Sequence, residues 1–161
     1  MSRELTTSSL GGRITSHGSR ITLFLAAALL AATANAGETE WKLMQGQAEE
    51  YFRRGNLQQA EQFGREALKE AESFFGPEHR ATEQSIATLY GTLRYRGKTD
   101  EALQLVTRLA AIRTKNYGPD DLSTAYALHG NAEILLIQHK LDEAEKLQRR
   151  ALAVFQKKLG P

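Results

Sequence analysis

The chain has 161 residues, a net charge of +2 and no cysteine. The missing cysteines exclude a disulfide framework, a thiol nucleophile and a Cys-ligated zinc site. The charge excess lies in residues 1–36, where Arg3, Arg13 and Arg20 face Glu4 alone; the remainder holds 18 basic and 18 acidic residues, a balance that argues against nucleic-acid binding by counterion release.

Residues 21–34 form an uncharged, largely apolar run preceded by Arg20 and followed by Ala34-Asn35-Ala36. A basic flank, a short apolar core and a small-x-small site describe a secretory signal peptide. The run is too short to span a bilayer comfortably. Residues 1–36 are therefore expected to be a signal peptide cleaved after Ala36, giving an exported (periplasmic or secreted) protein with no stable membrane insertion. The alternatives are an uncleaved anchor over residues 21–34 or an organelle transit peptide.

Beyond Ala36 the chain repeats itself. Phe75-Gly76-Pro77-Glu78-His79 returns as Tyr117-Gly118-Pro119-Asp120-Asp121 and again as Leu159-Gly160-Pro161, with the glycines 42 residues apart. Gly55 and Gly97 keep the same interval, as do Ala60, Ala102 and Ala144. A fixed period of this size marks a repeat array. The units are read as residues 38–79, 80–121 and 122–161.

Each unit predicts two helices. In unit one, Met44, Ala48 and Tyr51 fall on one face of a helix from Glu38 to Arg54. Gly55-Asn56 breaks it, and Leu57 to Phe75 follows with Ala60, Phe63, Ala67, Leu68 and Ala71 on one stripe. Unit two predicts helices over Arg80–Arg96, carrying Ile86, Leu89, Tyr90 and Leu93, and over Thr99–Tyr117. Unit three predicts Leu122–Gln138, with Leu128, Ala132 and Leu135, and Leu141–Leu159. Glycine at each unit end is expected in a left-handed conformation that stops the helix, with proline beside it unable to continue. Breaks this short force neighbouring helices antiparallel. The alanines at 60, 102 and 144 let the two helices of each hairpin approach closely. A hairpin cannot bury its apolar face alone, so the units must stack.

The runs Gly55-Asn56-Leu57-Gln58-Gln59-Ala60-Glu61 and Lys140-Leu141-Asp142-Glu143-Ala144-Glu145 resemble the tetratricopeptide repeat. The 42-residue period, with Phe-Gly-Pro-Glu-His between units, is similar to the longer variety typified by kinesin light chain. The resemblance implies an all-α fold: three helix hairpins stacked as a short right-handed superhelix whose first helices line a concave groove for a protein or peptide partner. It implies no enzyme, cofactor, catalytic residue or metal. This chain departs from the family at Tyr90, where a small residue is usual, at Gly64 in place of an aromatic, and at His139 in place of glycine.

Carried onto this sequence, the groove positions are Lys42, Gln45, Glu49, Phe52 and Arg53 in unit one. Unit two supplies Gln84, Ala87, Gly91, Arg94 and Tyr95; unit three supplies Tyr126, His129, Glu133, Leu136 and Ile137. Phe52, Tyr95 and Tyr126 are expected to form one concave strip. Family members that clamp a terminal carboxylate use Asn where this chain has Glu49, Gly91 and Glu133, and two carboxylates there would repel such a ligand. Glu61, Arg65 and Lys69 read as a solvated i, i+4 series, and Glu72 as outer surface. Val154 is expected to expose apolar area on the last helix, an edge open to homodimer formation. Two other readings stand beside the scaffold: a small helical metal- or ligand-binding protein using His129 and Glu133, which share a helix face, and a structural subunit of a larger envelope complex.

Overall fold

The computed structural model describes residues 36–160. The expected signal peptide and its alternatives lie outside the described residues apart from Ala36. Among the described residues there are six helices and no strands: α1 (36–53), α2 (Leu57–Phe75), α3 (Arg80–Tyr95), α4 (Thr99–Tyr117), α5 (Leu122–Ile137) and α6 (Leu141–Leu159). Each lies within two residues of its predicted span. Side chains at the helix starts satisfy free amides: Asn56 accepts from the Gln59 N–H at 3.3 Å, His79 Nδ1 from Ala81 at 3.1 Å, and Asp121 from Ser123 at 2.8 Å.

The helix ends repeat in register. Gly76, Gly118 and Gly160 have φ of 94°, 92° and 87° with ψ of 164°, 165° and 172°. This is not the left-handed helical region expected from the sequence but the extended mirror region, open essentially to glycine alone. The turn is held from the next unit. The buried hydroxyls of Thr82 and Thr124 donate to the Gly76 and Gly118 carbonyls at 2.6 and 2.9 Å. Inside each hairpin, Gly55 and Gly97 have φ of 75° and 73°, and His139 follows at 59°. His139 thus accepts a conformation that costs an L-residue about 1–2 kcal/mol.

Ala60, Ala102 and Ala144 are buried, as close hairpin packing requires. The apolar core is centred on units two and three. Ile86, Leu109, Ile112, Ala125, Leu128, Ala151 and Val154 form one cluster; Leu89, Leu93, Val106 and Ile134 form a second. Val154 is only 5% exposed, which corrects the expectation that it faces outward. The residue on α6 in the register of Leu68, which packs against unit two, is Leu152, and it is the exposed one.

Two departures from the repeat are compensated locally. A Cβ on Gly130 would come within 2.6 Å of the Tyr90 hydroxyl, so the glycine of unit three makes room for the tyrosine of unit two. Gly64 lies against Leu89, whose Cδ1 would be 3.3 Å from an added Cβ.

Candidate binding cleft

The first helices lie side by side. Gln45 on α1 donates to the Thr88 hydroxyl on α3 at 2.8 Å, and Arg94 on α3 pairs with Glu133 on α5. Between α1 and α3 opens a cleft of about 470 Å³ lined by Glu49, Phe52, Arg53, Ala87, Thr88 and Gly91. Its floor is open because Ala87 and Gly91 carry almost no side chain, and a Cβ at Gly91 would meet nothing within 4 Å. At one end Phe52 meets Tyr95 edge-on, ring centroids 5.6 Å apart, and the Arg94 guanidinium sits 5.1 Å from the Tyr95 ring centre. Tyr95 is 63% exposed, so much of its surface remains open beside these two contacts.

Through Ala87 and Thr88 the cleft continues into a more polar one of about 540 Å³, where Arg80, Gln84, Arg113, Tyr117 and Ser123 surround the buried Glu83. Glu83 accepts from Asn116 at 2.8 Å and lies 3.6 Å from Arg113 Nε. Burial, the Glu83 charge and a hydrogen bond to Glu83 push the Tyr117 hydroxyl above its usual pKa. Burial works against the Arg94 charge, but the Tyr95 hydrogen bond and the Glu133 carboxylate outweigh it and raise the Arg94 pKa. Arg94 and Arg113 each already have an acidic partner, Glu133 and Glu83.

The groove positions read from the sequence divide into three groups. Glu49, Phe52, Arg53, Arg94 and Tyr95 gather at the first cleft; Gln84 joins them through its amide, which donates to Glu49 at 3.1 Å. Gln45 is buried, with its side chain bonded to Glu49, Ser85 and Thr88; it positions Glu49 rather than offering itself to a ligand. Lys42 is exposed and pairs with Glu38.

Unit three is placed differently. Tyr126 is in register with Gln84, eleven residues before Tyr95, which puts it about 16 Å along the helix. It packs on Phe155 of α6 instead, ring centroids 5.0 Å apart. The expected single strip of Phe52, Tyr95 and Tyr126 is therefore two separate aromatic pairs. Leu136 and Ile137, both exposed, hold the register positions of Arg94 and Tyr95. His129 bonds to Gln148 of α6 at 2.9 Å and stands 3.9 Å from Glu133. With Glu133 also engaged by Arg94, the pair reads as part of the inter-helix network. Among the described residues, no group of three or more His, Asp or Glu side chains is placed to hold a metal ion.

Glu61 is a feature that sequence reasoning missed. It is 6% exposed and meets Arg65, Arg96 and Lys98. Burial pushes its carboxyl upward, but hydrogen bonds from Lys98 and Arg65 and the charges of Arg65 and Arg96 outweigh this and hold it below the usual range. The i, i+4 reading accounted for Arg65 alone. The 42-residue register held the remaining signal: Glu61 aligns with Leu103, an inter-unit contact on α4. Glu72 likewise is not plain outer surface, since it pairs with Arg108 of unit two.

Family models for the tetratricopeptide repeat match residues 48–81 and residues 85–157. This chain belongs to the tetratricopeptide-repeat family. Such repeats are scaffolds for protein–protein interaction. Among solved structures, the repeat array is similar to the nearly identical tetratricopeptide-like repeats of a putative kinesin light chain from Podosopora anserina, with TM-score 0.65 and 21% identity over 73% of this chain. The chain spans 56% of that structure's length. It is also similar to the tetratricopeptide-repeat domain of Arabidopsis FLU, with TM-score 0.67 and 20% identity, covering 75% of this chain and 98% of the domain. At these identities the likeness concerns the fold. No match was found among curated proteins. Among the described residues, no helix of the array is long and apolar enough to cross a membrane.

Proposed function

We propose that this tetratricopeptide-repeat protein is an exported, non-enzymatic scaffold that holds an extended segment of a partner protein in the cleft between α1 and α3. The observation that carries the reading is the floor made by Ala87 and Gly91 beneath the Phe52–Tyr95 pair. A ligand backbone fits over residues without bulk, and an apolar side chain fits against the rings. Exposed aromatics beside arginine are the composition of binding hot spots, worth about 2 kcal/mol or more each. Glu49 and Arg53 give the cleft both signs of charge, which suits a ligand of mixed charge. The export half of the proposal rests on Arg20, the apolar run 21–34 and Ala34-Asn35-Ala36.

Selection from a displayed peptide library supplies the ligand for the test. Tyr95→Ala is expected to weaken the selected peptide at least about tenfold, or about 1.4 kcal/mol. Gly91→Leu is the sharper variant. The open space at Gly91 and the better helix propensity of leucine leave the fold intact or firmer by about 0.8 kcal/mol, while the new side chain fills the cleft. Undiminished binding by both variants, with loss in Ala111→Lys on the exposed face of α4, moves the site to the convex side. For export, the protein from its native host is expected to begin at Gly37 by intact mass, and retention of residues 21–34 contradicts that half.

A further inference from the structure

Unit one meets unit two through a fixed set of positions. Glu61 on α2 takes Arg96 of unit two while keeping Arg65 on its own helix. Leu68 packs into the core of unit two, and Glu49 on α1 accepts from Gln84. Adding two periods places the same positions on the far edge of the array: Glu145 for Glu61, Arg149 for Arg65, Leu152 for Leu68 and Glu133 for Glu49. Glu145 holds Arg149 at 2.6 Å, as Glu61 holds Arg65, and Leu152 is 50% exposed.

The near edge carries the other half. Subtracting one period puts Arg54 in the register of Arg96, Lys42 in that of Gln84 and Leu43 in that of Ser85. Ser85 is a buried inter-unit contact that accepts from Trp41 at 2.9 Å. Leu43 is 57% exposed at the corresponding place. The near edge therefore offers two cations and a leucine where the far edge offers Glu145 and a leucine, Glu133 being turned back to Arg94 of unit two. Lys42 and Arg54 are held by Glu38 and Glu50 within α1, in exposed i, i+4 pairs that exchange at little cost.

We propose that a second copy of this chain docks head to tail, with its α1 laid on the outward face of α5 and α6, so that the 42-residue register runs on from one molecule into the next. The contact joins two different faces, so a pair of bound copies still presents a free head and a free tail on which the assembly can extend. It uses residues of the first helix other than Glu49, Phe52 and Arg53, which line the peptide cleft, and its failure leaves the functional reading standing.

Sedimentation velocity on the full chain, up to about 1 mM so as to reach weak contacts, tests it. The average mass is expected to rise with concentration past that of a dimer, and less so in high salt. Glu145→Arg and Arg54→Glu should each be monomeric with unchanged circular dichroism. An equimolar mixture of the two should associate again, because every head then finds a tail of opposite charge. Leu43→Lys reports the near edge independently and should also abolish association. A wild type that stays monomeric throughout overturns the proposal. So does association that survives Arg54→Glu, which would point to like edges pairing or to another segment, and so does a mixture that stays monomeric.

Discussion

The two junctions of this array are built from the same positions by different chemistry. Between units one and two, the described contacts are mainly polar: Glu61 with Arg96 and Lys98, Arg65 with Glu101, Glu72 with Arg108, and the amide of Gln45 with Ser85 and Thr88. Between units two and three a larger apolar contact stands beside polar ones such as Arg94 with Glu133 and Asn131 with Thr107. Leu103 stands where unit one has Glu61 and packs towards Leu135 and Ala144; Ile134 is buried among Leu89, Leu93 and Val106; and Gly130 lies under Tyr90. Every one of the largest fully buried side chains among the described residues falls between Thr82 and Ile134, whereas the buried apolar residues of unit one are all alanines. The difference teaches that one repeat pattern accommodates a joint with a large apolar core and one without, and that the second is the one beside the binding cleft. With no large side chain buried in unit one, the joint beside the cleft is expected to open before the pair of units behind it.

The largest expected effect comes from opening a cavity in the apolar core shared by units two and three. Ile134→Ala removes a fully buried side chain from the second cluster and should cost about 2–5 kcal/mol. Thermal unfolding should show all helices lost together at a lower temperature; a loss confined to unit three would mean that the core is not shared.

Gly130→Ala should cost about 1–3 kcal/mol by overpacking against Tyr90. Tyr90→Phe in the same chain should return part of that loss, because the hydroxyl is the nearest atom to the new Cβ. Denaturant titration of the four chains gives the coupling, and a coupling of zero would remove the Tyr90–Gly130 account of the departure at Tyr90.

The smallest effect lies outside both joints, inside the third hairpin. His139→Gly replaces a residue at φ 59° by the one that holds the same turn at Gly55 and Gly97. It should gain about 1 kcal/mol. No gain would mean that the imidazole makes a compensating contact in solution.

The period, the six helix spans and the close-packed alanines were legible in the sequence because all three copies agree on them. The groove positions came from the resemblance to the tetratricopeptide repeat rather than from agreement among the copies, which differ there. What differs between copies was not. Deciding whether Val154 faces outward required knowing which flank of the helix meets its neighbour, and periodicity along one helix does not distinguish its two flanks; Tyr126, by contrast, stands eleven residues before the register of Tyr95, which the 42-residue period already shows. The role of Glu61 depends on Arg96 and Lys98, more than thirty residues away, and those contacts exist only once the units stack. Thr82 and Thr124 read as ordinary helix residues until the turn carbonyls they bind are seen.

Amide hydrogen exchange under mildly denaturing conditions, on the wild type and on Glu61→Gln, tests the two-joint account most directly. At pH 7, α2 is expected to exchange through an opening that leaves α4 and α5 protected. Glu61→Gln should speed α2 about tenfold, which is about 1.4 kcal/mol, without changing α5. Acid should act on the wild type in the same direction. The carboxyl of Glu61 is held below its usual range, so its contribution is complete above the unfolded value of about 4.3 and is lost as pH falls through the lower folded value. Equal exchange free energies in α2, α4 and α5, or equal acceleration of α2 and α5 by Glu61→Gln, would contradict the account.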